Sequence, residues 1–261
     1  MIVPQKSLLI IGHRGASALA PENTLAAFAR AFDDGAHGIE LDVRLSRDGV
    51  PVVIHDPSLR HTGRRRGRIV RMTSERLAEI DVGSWFNQSH PRLARLQYAK
   101  QTLPTLNAVL SLLEKRLNNL LVYVELKTTR NRTKNEALVT AALEVISRKG
   151  FENRVVVISF NLPAVAHCKQ LAPTIRAGVL FGPRQRATKS ARKMIADTLS
   201  CGAQEICLHH LIAKPGLLKL AHDAGLAPVV WTVDDPNWLE NARENGIHAL
   251  MTNNPARMLG K

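Results

Sequence analysis

Short apolar runs alternate with helix-like patterns along almost the whole chain, and this rhythm restricts the fold more than any other feature. Strand-like runs lie at 7–11, 39–43, 50–54, 121–126, 154–160, 174–180, 205–208, 227–232 and 248–251. Apolar residues recur with helical spacing at 24–32, 105–117, 135–147, 190–199, 215–224 and 236–244. Asn23 or Thr24 is placed to cap the first of these helices. Runs such as Val155-Val156-Val157-Ile158 are apolar on both faces, as in a sheet covered on both sides. Asp48-Gly49 is a turn signal that folds 50–54 back on 39–43 as a hairpin. With the hairpin counted as an addition to the second unit, eight βα units remain. Eight units in 261 residues predict a TIM (β/α)8 barrel rather than an open doubly wound sheet. The turn after the first strand, Gly12-His13-Arg14-Gly15, also lacks the glycine spacing of a dinucleotide site.

Residues 57–102 interrupt the rhythm, with helical character only at 74–80. They read as a small insertion after the hairpin of a single catalytic domain, 1–261, lying outside the barrel at its catalytic end. Trp85 and Phe86 are expected to form the insertion's own small core, with an apolar lip for an acyl chain as the alternative. Phe160 is expected beneath a pocket rather than in contact with ligand, and Phe181, before a long glycine- and arginine-containing loop, is expected to be mobile.

Charge and cysteine content narrow the function classes. The chain has 36 Lys and Arg against 22 Asp and Glu, a net charge of +14. The densest basic runs are Arg64, Arg65, Arg66 and Arg68, and the set from Arg184 to Lys193. They read first as a solvated surface that steers anionic substrates, and second as a site of peripheral contact with anionic lipid or nucleic acid. Aromatics at 4% argue against a nucleic-acid surface of stacked rings, and no specific nucleic acid is expected. Cys168, Cys201 and Cys207 form neither a disulfide framework nor a CxxC zinc site. No run of 18 apolar residues occurs and the N-terminal segment lacks a secretion signal, so a cytoplasmic protein is expected.

Residues capable of chemistry sit at the C-terminal ends of the predicted strands, where a barrel builds its active site. His13, Arg14 and Gly15 end the first, and His55 and Asp56 end the hairpin. Glu40 and Asp42, like Glu125 and Lys127, stand two residues apart on one strand and therefore share a face. Glu40, Asp42 and Glu125 make an all-oxygen anionic set suited to Mg2+, Ca2+ or Mn2+ rather than zinc. The competing reading is a salt-bridge network with Arg14, Arg44 and Lys127; the placement of both pairs on adjacent strand ends favours a metal. His13 and His55 are the natural acid–base pair. Arg14 and Lys127 suit phosphate oxygens. Trp231, at a strand end, is read as a pocket wall or a core residue. His209 and His210 are weaker metal or substrate contacts.

Together, HRG at 13–15, PENT at 21–24 and IELDVRLSRDGVPVVIHD at 39–56 resemble the glycerophosphodiester phosphodiesterase family. VELK at 124–127, SF at 159–160 and WTVDD at 231–235 extend the match over nearly the whole chain. The resemblance implies a TIM barrel that hydrolyses glycerophosphodiesters to glycerol 3-phosphate and an alcohol. It implies one divalent cation on Glu40, Asp42 and Glu125, His13 and His55 as acid and base, Arg14 and Lys127 on the phosphate, and Trp231 in the substrate pocket. Lysophospholipase D-type cleavage of lysophospholipids is the alternative activity, and a non-catalytic phosphate- or nucleic-acid-binding protein a more distant one. Two positions depart from the family pattern: Asp234 stands where asparagine is usual, and Asn253 where aspartate follows a threonine. The second departure removes a charge available for local bonding.

Overall fold

The computed structural model describes residues 8–114 and 120–261. Nine strands follow in order: β1 (Leu9–His13), β2 (Gly38–Leu45), β3 (Pro51–Val53), β4 (Leu121–Leu126), β5 (Val155–Ser159), β6 (Arg176–Phe181), β7 (Glu205–His209), β8 (Ala227–Trp231) and β9 (Ala249–Thr252). Eight of them pair in parallel, and β9 returns to β1, which pairs with β2 and closes the barrel. β3 runs antiparallel along the upper half of β2 and completes the predicted hairpin.

Two apolar layers hold the barrel. Inside it, Ile11, Tyr123, Ile158, Leu180 and Met251 fill the space between strands. Outside, neighbouring strand residues point the other way into the helices. The helices are α1 (Leu25–Asp33), α2 (Ser74–Ala78), α3 (Ser84–Ser89), α4 (Leu106–Glu114), α5 (Arg132–Arg148), α6 (Leu162–Leu171), α7 (Pro183–Thr188), α8 (Ala191–Ser200), α9 (Pro215–Asp223), α10 (Trp238–Glu244) and α11 (Pro255–Met258). Phe28 of α1, Val109 of α4 and Leu138 of α5 join the outer faces of β2 and β4 through Leu41 and Val124. Met194 of α8 and Leu217 of α9 do the same for β7 and β8. Burying these faces drives the closure, at about 25 cal/mol per Å² of apolar surface removed from water.

Several element ends differ from expectation. β1 starts and ends two residues later, so His13 is its last residue. Ser7 and Leu117 lie outside the described residues. Helix α6, not expected, starts where Asn161 accepts a hydrogen bond from the Ala164 N–H and Pro163 occupies the first turn. Phe181 is buried, and the segment after it forms α7 instead of an extended loop.

Residues 57–102 pack at the C-terminal end of the strands. Leu59, Ile69, Leu77, Ile80 and Leu103 form an apolar cluster with Val52 and Ile54. Trp85 and Phe86 do not make a core confined to this segment. With Tyr98 they pack on Ala20 and Ala27, and the Tyr98 hydroxyl donates to the Leu19 carbonyl at 3.1 Å. The rings therefore fasten the segment to the loop between β1 and α1. No described helix is long and apolar enough to cross a membrane.

At the opposite end of the barrel, Glu205 is buried, with Arg176 Nη1 3.6 Å away and Tyr123 beside it. Burial pushes its carboxyl up to about 7 against the pull of Arg176 and Tyr123. The folded chain thus holds this proton more tightly than the unfolded chain does. Stability from this group is complete below the unfolded value of 4.5 and is lost as pH rises through about 7. Glu205→Gln should therefore be more stable than the parent at pH 8, by about 3 kcal/mol at most, with the difference vanishing near pH 4.5. Thermal unfolding of both proteins across this range checks it; a difference independent of pH would contradict it.

Candidate active site

The site begins in the turn after β1. Arg14 and Gly15 both take left-handed backbone conformations, φ +56° and +80°. At Gly15 a Cβ would come within 2.8 Å of Ala27 Cβ and nearer still to its backbone, so only glycine lets the turn close on α1. This closure aims the Arg14 N–H into the barrel, where it donates to Glu40 Oε2 at 3.0 Å. The Arg14 guanidinium bonds both oxygens of Glu22 and lies with Nε 3.2 Å from Asp42 Oδ2.

Register brings the acids together. His13 is level with Glu40 across β1 and β2, and Asp42 is level with Glu125 across β2 and β4. Oxygens from Glu40, Asp42 and Glu125 lie within 4.8 Å of one another, and all three residues are buried. Lys127 Nζ is 2.6 Å from Glu125 Oε1 and 2.9 Å from Asp42 Oδ1. Burial, together with the charges of Asp42 and Glu125, pushes Glu40 well above the usual carboxylate range. Burial also raises Glu125, against the attraction of Lys127. Asp42 is held below its ordinary value, because Lys127 and Arg14 outweigh the cost of burial. Glu40 Oε1 is buried with no hydrogen-bond partner. Three carboxylates face two cations, one of them shared with Glu22, and all the donors are hard oxygens. This set fits a divalent cation.

The two histidines differ in setting. His13 Nδ1 lies 2.8 Å from Asn253 Oδ1, and Nε2 lies 3.9 Å from Glu40 Oε2. An amide oxygen only accepts, so Nδ1 carries the proton and Nε2 is the free base. Burial and the Arg14 charge lower His13 to about 4. Asn253 is itself fixed: its Nδ2 and backbone N–H donate to Asp234 at 2.7 Å each, and the Thr252 hydroxyl donates to the same carboxylate. The two positions singled out in the sequence, 234 and 253, thus meet in space, with the charge of the pair on Asp234. His55 is about one-third exposed, with Nδ1 2.8 Å from Asp56 Oδ1. Burial lowers its pKa, in part offset by Asp42. Arg44 does not join the carboxylates; it donates twice to the His55 carbonyl, at 2.8 and 2.6 Å.

A small aromatic wall stands on β5, β7 and β8. Trp231 meets Phe160 edge-on at 5.6 Å and His209 at 4.9 Å, and its indole N–H donates to the Cys207 carbonyl. Phe160 is 37% exposed, so it borders solvent instead of lying beneath. Trp85, Phe86 and Phe181 are buried, and Trp85 and Phe86 form no apolar lip.

Sequence reasoning overlooked Asn23. Thr24, not Asn23, caps α1. Asn23 Nδ2 donates to Asp42 Oδ2 at 2.7 Å, and its Oδ1 accepts from the Asp42 N–H. Its left-handed backbone, φ +57°, and its burial hold it behind Asp42; the sequence itself offered only an asparagine in front of a helix.

Comparison with known proteins agrees with this geometry. Residues 13–257 match the glycerophosphoryl diester phosphodiesterase family. A glycerophosphodiester phosphodiesterase of Caldanaerobacter subterraneus subsp. tengcongensis is 30% identical over 96% of each chain. A probable glycerophosphodiester phosphodiesterase 1 of Mycobacterium tuberculosis is 32% identical over 95% of this chain and 90% of its own. A phosphodiesterase of Oleispira antarctica, solved with the product sn-glycerol-3-phosphate, superposes with a TM-score of 0.84 at 26% identity, covering 97% of this chain and 95% of that one. With its closed barrel, its carboxylate cluster and a match over residues 13–257, the chain belongs to the glycerophosphoryl diester phosphodiesterase family.

Proposed function

We propose that the protein hydrolyses glycerophosphodiesters to glycerol 3-phosphate and an alcohol, using a divalent cation and a histidine acid–base pair. The observation that carries this reading is the buried Glu40–Asp42–Glu125 cluster next to His13 at the mouth of a barrel of this family. The product bound in the Oleispira antarctica relative supports a small phosphodiester as substrate. The burial of Trp85, Phe86 and Phe181 weighs against a broad acyl groove, and so against lysophospholipids as the preferred substrates.

Glu40, Asp42 and Glu125 would hold the ion, with Mg2+ or Ca2+ favoured and Mn2+ compatible. When bound, the ion would supply Lewis-acid stabilisation of the phosphoryl oxygens. Asn23 and the Arg14 N–H orient two of the ligands from behind. Lys127 and the Arg14 guanidinium border the same cluster and would balance the charge that grows on phosphate. Trp231 and Phe160 would flank the glycerol or the leaving group.

His13, neutral at pH 7 with Nε2 bare, takes the proton of the attacking hydroxyl, whether water or the glycerol 2-hydroxyl that gives a cyclic phosphate. His55, nearer solvent and paired with Asp56, protonates the departing alcohol from its imidazolium form, which burial makes the minor form at pH 7. Asp234 and Asn253 act as positioning residues: the carboxylate locks the amide, and the amide locks the imidazole tautomer.

Three outcomes are expected. Glu40→Ala should lose both turnover and calorimetric binding of Mg2+ or Ca2+; unchanged affinity would refute the ligand assignment. His13→Ala and His55→Ala should each lose about 10²- to 10⁴-fold in turnover while remaining folded. A nitrophenyl phosphodiester, whose leaving group needs no proton, should restore part of the rate to the His55 variant alone; recovery by the His13 variant would reverse the roles. Asp234→Asn should lower kcat by about tenfold at near-constant KM and broaden the His13 nitrogen signals of the fixed tautomer. Adding Asn253→Asp should recover much of the loss, and an unaltered His13 spectrum in the single variant would remove Asp234 from the positioning role.

A further inference from the structure

The segment that fastens to the barrel mouth carries much of the protein's charge. Residues 57–102 hold ten Lys and Arg against three Asp and Glu, so 46 residues carry +7 of the total +14. The arginines are gathered. Arg60 and Arg68 line a cleft of about 490 Å³, Arg47, Arg65 and Arg76 an adjoining one of about 440 Å³, and Arg66, Arg71 and Met72 border both. All seven arginines are exposed. Among the described residues none of them has a carboxylate within ion-pair distance, although Arg14, Arg30 and Arg132 elsewhere do. The backbone beneath them is braced: the Arg47 N–H donates to the Met72 carbonyl, and Asp48 bonds the N–H and hydroxyl of Ser74. Unpaired guanidinium groups held together on a built platform repel one another and favour an anionic partner.

Apolar side chains on the same segment distinguish the partner. Val70, Leu93 and Leu96 are three of the seven exposed large hydrophobics among the described residues, and Leu96 is 88% exposed. Val70 stands between Arg68 and Arg71 in the chain. Arg64 reaches Ser89 at the end of α3, and Asn87 of that helix bonds Arg95, next to Leu96. Arginines with protruding aliphatic groups match a phospholipid surface, where the cations meet headgroup phosphates and the aliphatic groups enter the boundary beneath. A nucleic-acid surface uses the cations but not the aliphatic groups, and the segment's rings, Trp85, Phe86 and Tyr98, are buried and unavailable for stacking on bases.

We infer that residues 57–102, with Arg47, form a docking platform for an anionic phospholipid bilayer, distinct from the hydrolytic centre. Binding there sets the barrel mouth beside the membrane without burying the chain in it.

The test is co-sedimentation of the full chain with vesicles of equimolar phosphatidylglycerol and phosphatidylcholine, against phosphatidylcholine alone. Binding should require the anionic lipid and fall steeply with salt. A basic residue near such a surface is worth roughly fivefold in partitioning, so Arg65→Gln, Arg66→Gln and Arg71→Gln together should weaken binding about a hundredfold. Leu96→Ser should weaken it severalfold. Both variants should keep the parent's melting temperature and its rate on a water-soluble glycerophosphodiester, and Glu40→Ala should bind vesicles like the parent, which separates docking from hydrolysis. Equal binding to neutral vesicles, or parent-like binding by the triple variant, would overturn the inference. So would a duplex nucleic acid that displaces the protein from vesicles and binds the Leu96 variant undiminished, which would assign the platform to nucleic acid.

Discussion

Three carboxylates buried at one end of a barrel are the constraint from which the rest of the site follows. Like charges so close raise one another's pKa, and burial adds to the cost. The chain offsets this with groups from separate parts of the sequence. Lys127 comes from the same strand face as Glu125, Arg14 from the turn after β1, and Asn23 from the residue before the α1 cap. The left-handed turn at Arg14 and Gly15 belongs to the same economy, because it lets one residue serve Glu40 with its backbone and Asp42 with its side chain. The cluster still carries more negative than positive charge, which suits it to a divalent cation.

Much of the barrel was legible in the sequence because strands and helices announce themselves locally. Glu40 with Asp42, and Glu125 with Lys127, could be placed on one face from the two-residue period alone, and the register confirms their meeting. Relations between distant residues were less legible. His13 and Asn253 are 240 positions apart, and nothing in either neighbourhood indicates their bond. Asn23 was masked by a more ordinary explanation, since asparagine before a helix usually caps it. Helix α6 was hidden by its proline and weak periodicity, although Asn161 and Pro163 form a regular helix start. Trp85 and Phe86 were read as a core of their own segment, but they pack on Ala20 and Ala27 outside it, small residues without a distinctive pattern.

Those aromatic contacts link the two parts of the molecule. The loop between β1 and α1 carries Arg14 on one side and receives Tyr98 at Leu19 on the other. The segment 57–102 is also anchored from below, through Val52 and Ile54 of the hairpin that ends in His55. A residue proposed for proton transfer and a residue bordering the carboxylates therefore rest on elements that the same segment packs against. The segment is a structural support for the site as well as a bearer of charge.

The pairing of Asp234 with Asn253 bears on how such a site can change over evolutionary time. Asp234 and Asn253 together give this corner of the site one carboxylate and one amide, each bonded to the other. A chain passing through two aspartates would set carboxylates against each other beside His13. One passing through two asparagines would leave the amide free to rotate and present a donor to the imidazole. Each single step would weaken the bonding, and the double exchange would restore it. The two positions are therefore expected to be coupled, so that the residue at one sets which residue the other can accept.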